Sequence, residues 1–154
     1  MKGLLHKKLT KKGFTLAELL IVVAILAILV AVSIPIFTSQ LDKAKKSTDE
    51  ANLRACKALV ANSIITGEFQ ENQWGEMGTD AYSAKYDFEK GLLVPYDTSV
   101  KGYGQGSGIT GATNDETSGN EYVAMSNMPC EKGSYLWVNY FPESEKYYII
   151  WASF

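Results

Sequence analysis

The side chains that most often carry out chemistry are scarce in this sequence. Its 154 residues include one histidine, His6, and two cysteines, Cys56 and Cys130. A single histidine among N-terminal lysines cannot supply a Ser-His-Asp or Cys-His arrangement together with the remaining residues. The two cysteines lack the spacing of a zinc site. The sequence therefore predicts a protein that is not an enzyme and that holds no metal ion or cofactor.

A glycine-rich stretch, residues 102–119, is the other candidate for a ligand site. It reads GYGQGSGITGATNDETSG, a composition that is typical of a loop. A phosphate-binding loop would end in Gly-Lys-Ser/Thr and lead into a helix, and neither feature follows. Nearby carboxylates at Asp115, Glu116 and Glu121 are too scattered to predict a calcium site. We interpret this stretch as a connecting loop.

One carboxylate stands out by its position. Glu18 is the single charged residue in the run 14–37. A helix of that length spans about 36 Å at 1.5 Å per residue, enough to cross the roughly 30 Å hydrocarbon core of a membrane. A carboxylate there costs a few kcal/mol, so it usually meets a partner. A location near the membrane interface, where the cost is lower, is the alternative.

The charges around this run set its orientation. Residues 1–13 contain five lysines and no acid, which predicts that they stay in the cytoplasm while the rest of the chain is outside. Everything after Gly13 carries ten basic and seventeen acidic side chains, unlike a nucleic-acid-binding surface. The apolar run ends in SIPIF, residues 33–37, which is a poor site for signal peptidase.

The junction between leader and apolar run resembles the type IV prepilin motif. Residues 11–19 read KKGFTLAEL: a basic leader, Gly, Phe, Thr, Leu, any residue, Glu and Leu. The resemblance covers about residues 1–40. It implies that a prepilin peptidase cuts between Gly13 and Phe14 and methylates the new Phe14 amine. It also implies that Glu18 promotes assembly by meeting the Phe14 amine of an adjacent subunit, where the two charges would neutralise each other. Pro35 lies where major pilins often carry proline.

The helical pattern continues beyond Pro35 to Thr66, and Gly67 is a natural stop. We predict that the face packed under a head domain contains a stripe at spacings of three and four: Leu41, Ala44, Thr48, Ala51, Ala55, Ala58, Asn62 and Ile65. Larger residues broaden that face: Leu53, Cys56, Val60 and Ile64. The expected solvent side carries Asp42, Lys43, Lys45, Lys46, Asp49 and Glu50.

The remainder of the chain predicts an antiparallel sheet. Residues 68–100 read as a connector with a short strand at 92–94. Strands are expected at 121–126, 134–141 and 146–152, which are rich in Tyr, Trp, Val and Ile. The predicted class is α+β, with the pilin fold of a long N-terminal helix packed against a C-terminal sheet. Its parts are a cleaved leader (1–13), a hydrophobic half-helix (14–37) and a globular head (38–154).

The two cysteines have two readings. Cys56 lies on the predicted helix and Cys130 in a turn between strands. A disulfide between them would persist outside the cell and contribute about 2–4 kcal/mol. Two separate buried thiols are the alternative. Many Gram-negative pilins bridge two cysteines late in the chain, and this spacing departs from that pattern.

The sequence thus predicts a subunit, most simply a major pilin, of an extracellular type IV filament. Its expected partners are prepilin peptidase, identical subunits, the assembly platform with its ATPase, and the cytoplasmic membrane that holds the precursor; no nucleic acid is expected. A minor pilin, or a pseudopilin of a type II secretion or DNA-uptake system, shares the same motif. An uncleaved, membrane-anchored binding module is the third reading. Glu18, Pro35 and the length after Gly13 favour the major pilin.

Overall fold

The computed structural model describes residues 13–70, 75–76, 81–115 and 120–153. The leader lysines with His6, and the connector residues Trp74 and Gly78, lie outside these ranges, as does Glu116. The chain divides into two units, residues 1–40 and 41–154. A single helix, α1 (Leu16–Thr66), runs through the boundary. It ends at Gly67, whose positive φ of 75° is the left-handed conformation that commonly terminates helices.

The second unit combines the head half of α1 with a sheet and one short helix. A 3-10 turn, Glu68–Gln70, follows α1 directly. The further elements are β1 (Gly75–Glu76), β2 (Tyr82–Asp87), β3 (Leu92–Pro95), β4 (Ala112–Thr113), α2 (Glu121–Ser126), β5 (Tyr135–Phe141) and β6 (Lys146–Ala152). This confirms the predicted α+β class with a long N-terminal helix.

The strands form one antiparallel sheet in the order β1-β2-β5-β6-β4, and β3 also pairs with β2. Its centre is the β5–β6 hairpin, in which Trp137 lies opposite Ile150 and Phe141 opposite Lys146. The latter pair leaves residues 142–145 as the turn that connects the two predicted strands. At that turn Glu145 adopts a positive φ of 54° and its N–H donates to the Pro142 carbonyl.

The core lies between the sheet and one face of α1. From α1 it receives Cys56 and Val60, and from the sheet chiefly Ala84, Leu136, Val138, Ile149 and Trp151. Strand residues alternate in direction, so Leu136 and Val138 share the face turned to this cluster. Burying a side chain such as Val60 or Leu136 contributes about 1.5–3 kcal/mol, which makes this contact the main support of the head.

The prediction of which face of α1 is buried was partly wrong. All eight members of the stripe from Leu41 to Ile65 are exposed. The buried positions follow a second stripe with the same spacing, and they include Asp49 together with Cys56, Val60 and Ser63. Both stripes satisfy the helical period. The buried face is the one that also carries the larger apolar side chains of Leu53, Val60 and Ile64, because burying them removes more apolar area from water. Leu53 and Ile64 pack partly buried against the core, as predicted.

Two further expectations about the elements need correction. Residues 121–126 form helix α2 rather than a strand, because the Asn120 side chain accepts a hydrogen bond from the Tyr122 N–H and caps the helix start. The expected connector contains a full strand, β2, which pairs with β5 through Tyr82 opposite Tyr140. The sequence did not predict β2 because its alternation of apolar and polar residues is weak. Ser83 and Lys85 share one side of the strand, and Ser83 is buried although it is polar.

Candidate processing and assembly site

The segment around the predicted cleavage point begins outside the helix. Gly13 and Phe14 precede α1 and both are exposed, with Phe14 at 90%. No heavy atom lies within 4 Å of the position that a Cβ on Gly13 would take. An exposed, non-helical peptide bond is the form in which a peptidase binds its substrate most readily, since no helix has to unwind first.

Thr15 and Glu18 form a capping box at the start of α1. The Glu18 carboxylate accepts hydrogen bonds from the Thr15 backbone N–H and from the Thr15 hydroxyl, both at 2.8 Å. The Thr15 hydroxyl in turn accepts from the Glu18 N–H at 3.3 Å. This exchange satisfies two backbone donors that a helix start leaves unpaired. The pattern Thr-x-x-Glu signals this cap in the sequence, whereas Glu18 was predicted to act only through its charge.

The first half of α1 exposes an unbroken apolar surface. Every residue from Leu16 to Gln40 is exposed, and this part of the helix is long and apolar enough to cross a membrane. So much aliphatic surface is unstable in water, which means that lipid or another protein must cover it.

Pro35 lies inside α1, and the helix continues on both sides of it. Proline has no N–H to donate, so one backbone carbonyl of the preceding turn loses its helical partner. Two hydroxyls bond to carbonyls nearby. Ser33 donates to the Leu29 carbonyl at 2.6 Å, and Thr38 donates to the Pro35 carbonyl at 3.0 Å. Hydroxyls that bond back to the helix in this way satisfy polar groups locally in an apolar setting.

The two cysteines are both buried free thiols, the second of the two readings of the sequence. Burial raises the pKa of the Cys56 thiol. Burial also raises the pKa of the Cys130 thiol; the Ser134 hydroxyl lowers it in part, and the hydrogen bond to the Asp49 carboxylate at 3.2 Å raises it further. Both groups therefore stay protonated and poorly nucleophilic at neutral pH.

A second buried carboxylate, Asp115, joins β4, α2 and β6. It accepts from the Lys146 ammonium at 2.8 Å, the Tyr148 hydroxyl at 2.5 Å and the Asn120 amide at 2.9 Å. Burial and the bond to Asp115 raise the pKa of Tyr148 to about 12. These hydrogen bonds hold the three elements together. Among the described residues, no three His, Cys, Asp or Glu side chains form a group that would hold a metal ion.

The comparisons with known proteins agree with the N-terminal motif. Residues 8–34 match the family model described as a prokaryotic N-terminal methylation motif. The chain is 36% identical over 58 residues to the type IV major alpha-pilin of Moraxella bovis, and 42% identical over 54 residues to the type IV narrow pilus major component PilA5 of Thermus thermophilus. These alignments cover 38% and 35% of this chain, and 36% and 47% of the relatives. No solved structure matches it significantly.

A methylation motif at the start of a long apolar helix, followed by an antiparallel sheet packed on that helix, is the arrangement that the resemblance to type IV pilins predicts. The family model and the two relatives match the N-terminal part of the chain, and together with this arrangement they support a type IV pilin. The chain spans less than half the length of the two relatives it matches, so what those pilins do as whole proteins enters only as a proposal.

Proposed function

We propose that this chain is the structural subunit of an extracellular type IV pilus, a major pilin that is cut between Gly13 and Phe14 and polymerises through α1. The observation that carries the proposal is the exposure of the whole first half of α1. In the precursor, the cytoplasmic membrane would cover that surface. After processing and extraction by an ATP-driven assembly platform, the same surface would be covered by the helices of identical subunits.

The head half of α1 supports the same proposal. Its stripe from Leu41 to Ile65 is exposed although it contains no charge. Small residues such as Ala51, Ala55 and Ala58 let another helix approach closely, at the 8–10 Å axis separation of packed helices. A soluble helix that stood alone would carry charged side chains on its solvent face. In a filament, this stripe is the face of the head half that neighbouring helices would contact.

Processing and export are tested by the mass and N-terminal sequence of the protein from two fractions, sheared surface filaments and membranes. The proposal predicts a chain that starts at methylated Phe14 in the sheared fraction. A chain that still starts at Met1 in both fractions would make it an uncleaved anchored protein and would overturn the proposal.

The same experiment separates the alternatives that share the motif. A processed chain found in the membrane fraction and absent from sheared filaments would favour a pseudopilin or a minor pilin. The ratio of this chain to other pilins in the sheared fraction then distinguishes a major from a minor subunit, because a major pilin accounts for most of the mass of its filament.

A further inference from the structure

One carboxylate in the head half of α1 is fully buried. Asp49 is 0% exposed, and no ion pair among the described residues includes it. Its donors come instead from segments more than fifty positions away. The Gln105 N–H donates to its two oxygens at 2.9 and 3.2 Å, and the Ser107 N–H donates at 3.3 Å. Hydrogen bonds to an ionised group are stronger than those between neutral groups.

The segment that supplies these N–H groups is packed closely against the chain around Cys130. Residues 102–111, the glycine-rich segment, form isolated bridges from Gln105 to Lys132 and from Thr110 to Pro129. A Cβ on Gly104 would overlap the side chain of Ser134 and the backbone of Glu131. Glycine is therefore required there by close approach of the backbone. The segment was predicted as a loop, yet it has a fixed place on the head.

The Asp49 carboxylate also accepts from the Cys130 thiol, at 3.2 Å. A carboxylate next to a thiol disfavours the thiolate, which is the form that reacts with oxidants and alkylating agents. Cys130 lies between Pro129 and Lys132, the two residues that form the bridges to the glycine-rich segment. The Asp49 side chain thus contacts both the glycine-rich segment and the Cys130 thiol of the neighbouring segment.

We propose that Asp49 holds the glycine-rich segment against α1 and keeps Cys130 as an unreactive thiol. The hydrogen bonds that Asp49 accepts from Gln105, Ser107 and Cys130 are called the clasp below. Outside the cell, where free thiols tend to oxidise, such protection lets the head carry an unpaired cysteine. The clasp depends on contacts within the head alone. It therefore stands whether or not the chain forms a filament.

The test is thiol labelling of the full chain in detergent micelles, with a maleimide reagent and peptide mass mapping to separate the two cysteines. In Asp49→Asn the negative charge is lost, so the clasp opens more often and Cys130 ionises more readily. We expect Cys130 to be labelled several-fold faster than in the unsubstituted chain, because opening exposes the thiol and loss of the adjacent charge favours the thiolate. Cys56, whose pKa is raised by burial and not by Asp49, should change by less than about twofold.

Asp42→Asn is the matched control, because Asp42 lies on the same helix but is exposed and pairs with Lys45. It should leave both labelling rates unchanged. Equal acceleration of Cys56 and Cys130 in Asp49→Asn would mean general destabilisation and would overturn the clasp, as would no acceleration at all.

A second measurement applies if Asp49→Asn does not fold. Amide hydrogen exchange of the unsubstituted chain should show the Gln105 and Ser107 N–H groups protected, because both are bonded to a buried acceptor. Exchange of these two amides at the rate of an unbonded, exposed amide would also overturn the proposal.

Discussion

At the scale of single residues, Glu18 has two possible roles that involve the same carboxylate. Within one chain it caps α1 through Thr15. Between chains, the proposed filament would bring it to the Phe14 amine of a neighbour. A cap needs an acceptor oxygen, which a glutamine side chain also offers. Charge pairing needs the negative charge, which glutamine lacks. The two roles are therefore separable by substitution.

We predict that Glu18→Ala and Glu18→Gln are both inserted and cut but both yield few filaments, because each removes the charge that pairs with the Phe14 amine. Thr15→Ala is the control for the cap: it weakens the helix start by about 1 kcal/mol and leaves the charge in place, so filaments should still form. Yield is measured as pilin in the sheared fraction. Normal yield from Glu18→Gln would leave the cap as the sole role of Glu18.

At the scale of elements, α1 has two faces with different requirements. In the head half, the face with Leu53, Cys56 and Val60 is covered by the sheet. The stripe from Leu41 to Ile65 lies on another side of the helix and is exposed. An exposed alanine contributes little to the fold of one chain, so its replacement reports on contacts between chains.

Ala55→Glu tests this division. Because Ala55 is exposed, the midpoint of thermal unfolding of the detergent-solubilised chain should stay close to that of the unsubstituted protein, as expected for a change of less than about 0.5 kcal/mol. Filament yield should fall strongly, because a charged side chain would be buried against another helix. Ala55→Ser keeps the residue small and serves as the control. Full yield from Ala55→Glu would show that this stripe faces solvent in the filament.

At the scale of the whole molecule, the Asp115 cluster links the last strand, the short helix and β4, and it makes the head sensitive to alkaline pH. The pKa of Tyr148 is raised to about 12 in the folded chain, against about 10 in an unfolded one. A raised pKa favours the neutral phenol, so its contribution is complete below pH 10 and is lost as the pH rises towards 12.

We expect the free energy of unfolding of the unsubstituted chain, measured by denaturant titration in micelles, to fall between pH 10 and 12. Tyr148→Phe should be less stable at pH 7, because it leaves Asp115 without one donor. It should also lose much less stability across the alkaline range. Tyr96→Phe, at an exposed tyrosine, is the control and should follow the unsubstituted profile. Parallel profiles for Tyr148→Phe and the unsubstituted chain would contradict the assignment.

Several features of this chain were determined by the sequence itself, because neighbouring residues encode them. The apolar run, the basic leader and the Gly-Phe-Thr-Leu-x-Glu motif are contiguous, and they predict the long helix and the family. Gly67 ends the helix, and residues 142–145 form the hairpin turn, through local backbone preferences. A capping box at Thr15 and Glu18 is local in the same way.

The tertiary structure alone decided which of two equally spaced stripes of α1 is buried, because only contact with Leu136, Val138 and Ile149 distinguishes them. It also decided the role of Asp49, whose donors at Gln105 and Ser107 are 56 and 58 positions away. No local sequence pattern predicts a hydrogen bond between residues so far apart in the chain. The helical form of residues 121–126 combines a local signal, the Asn120 cap, with a tertiary contact, the packing of the Tyr122 ring against Tyr148 at 5.2 Å between centroids. Such contacts outweigh the strand preference of these residues because burial contributes more than local propensity does.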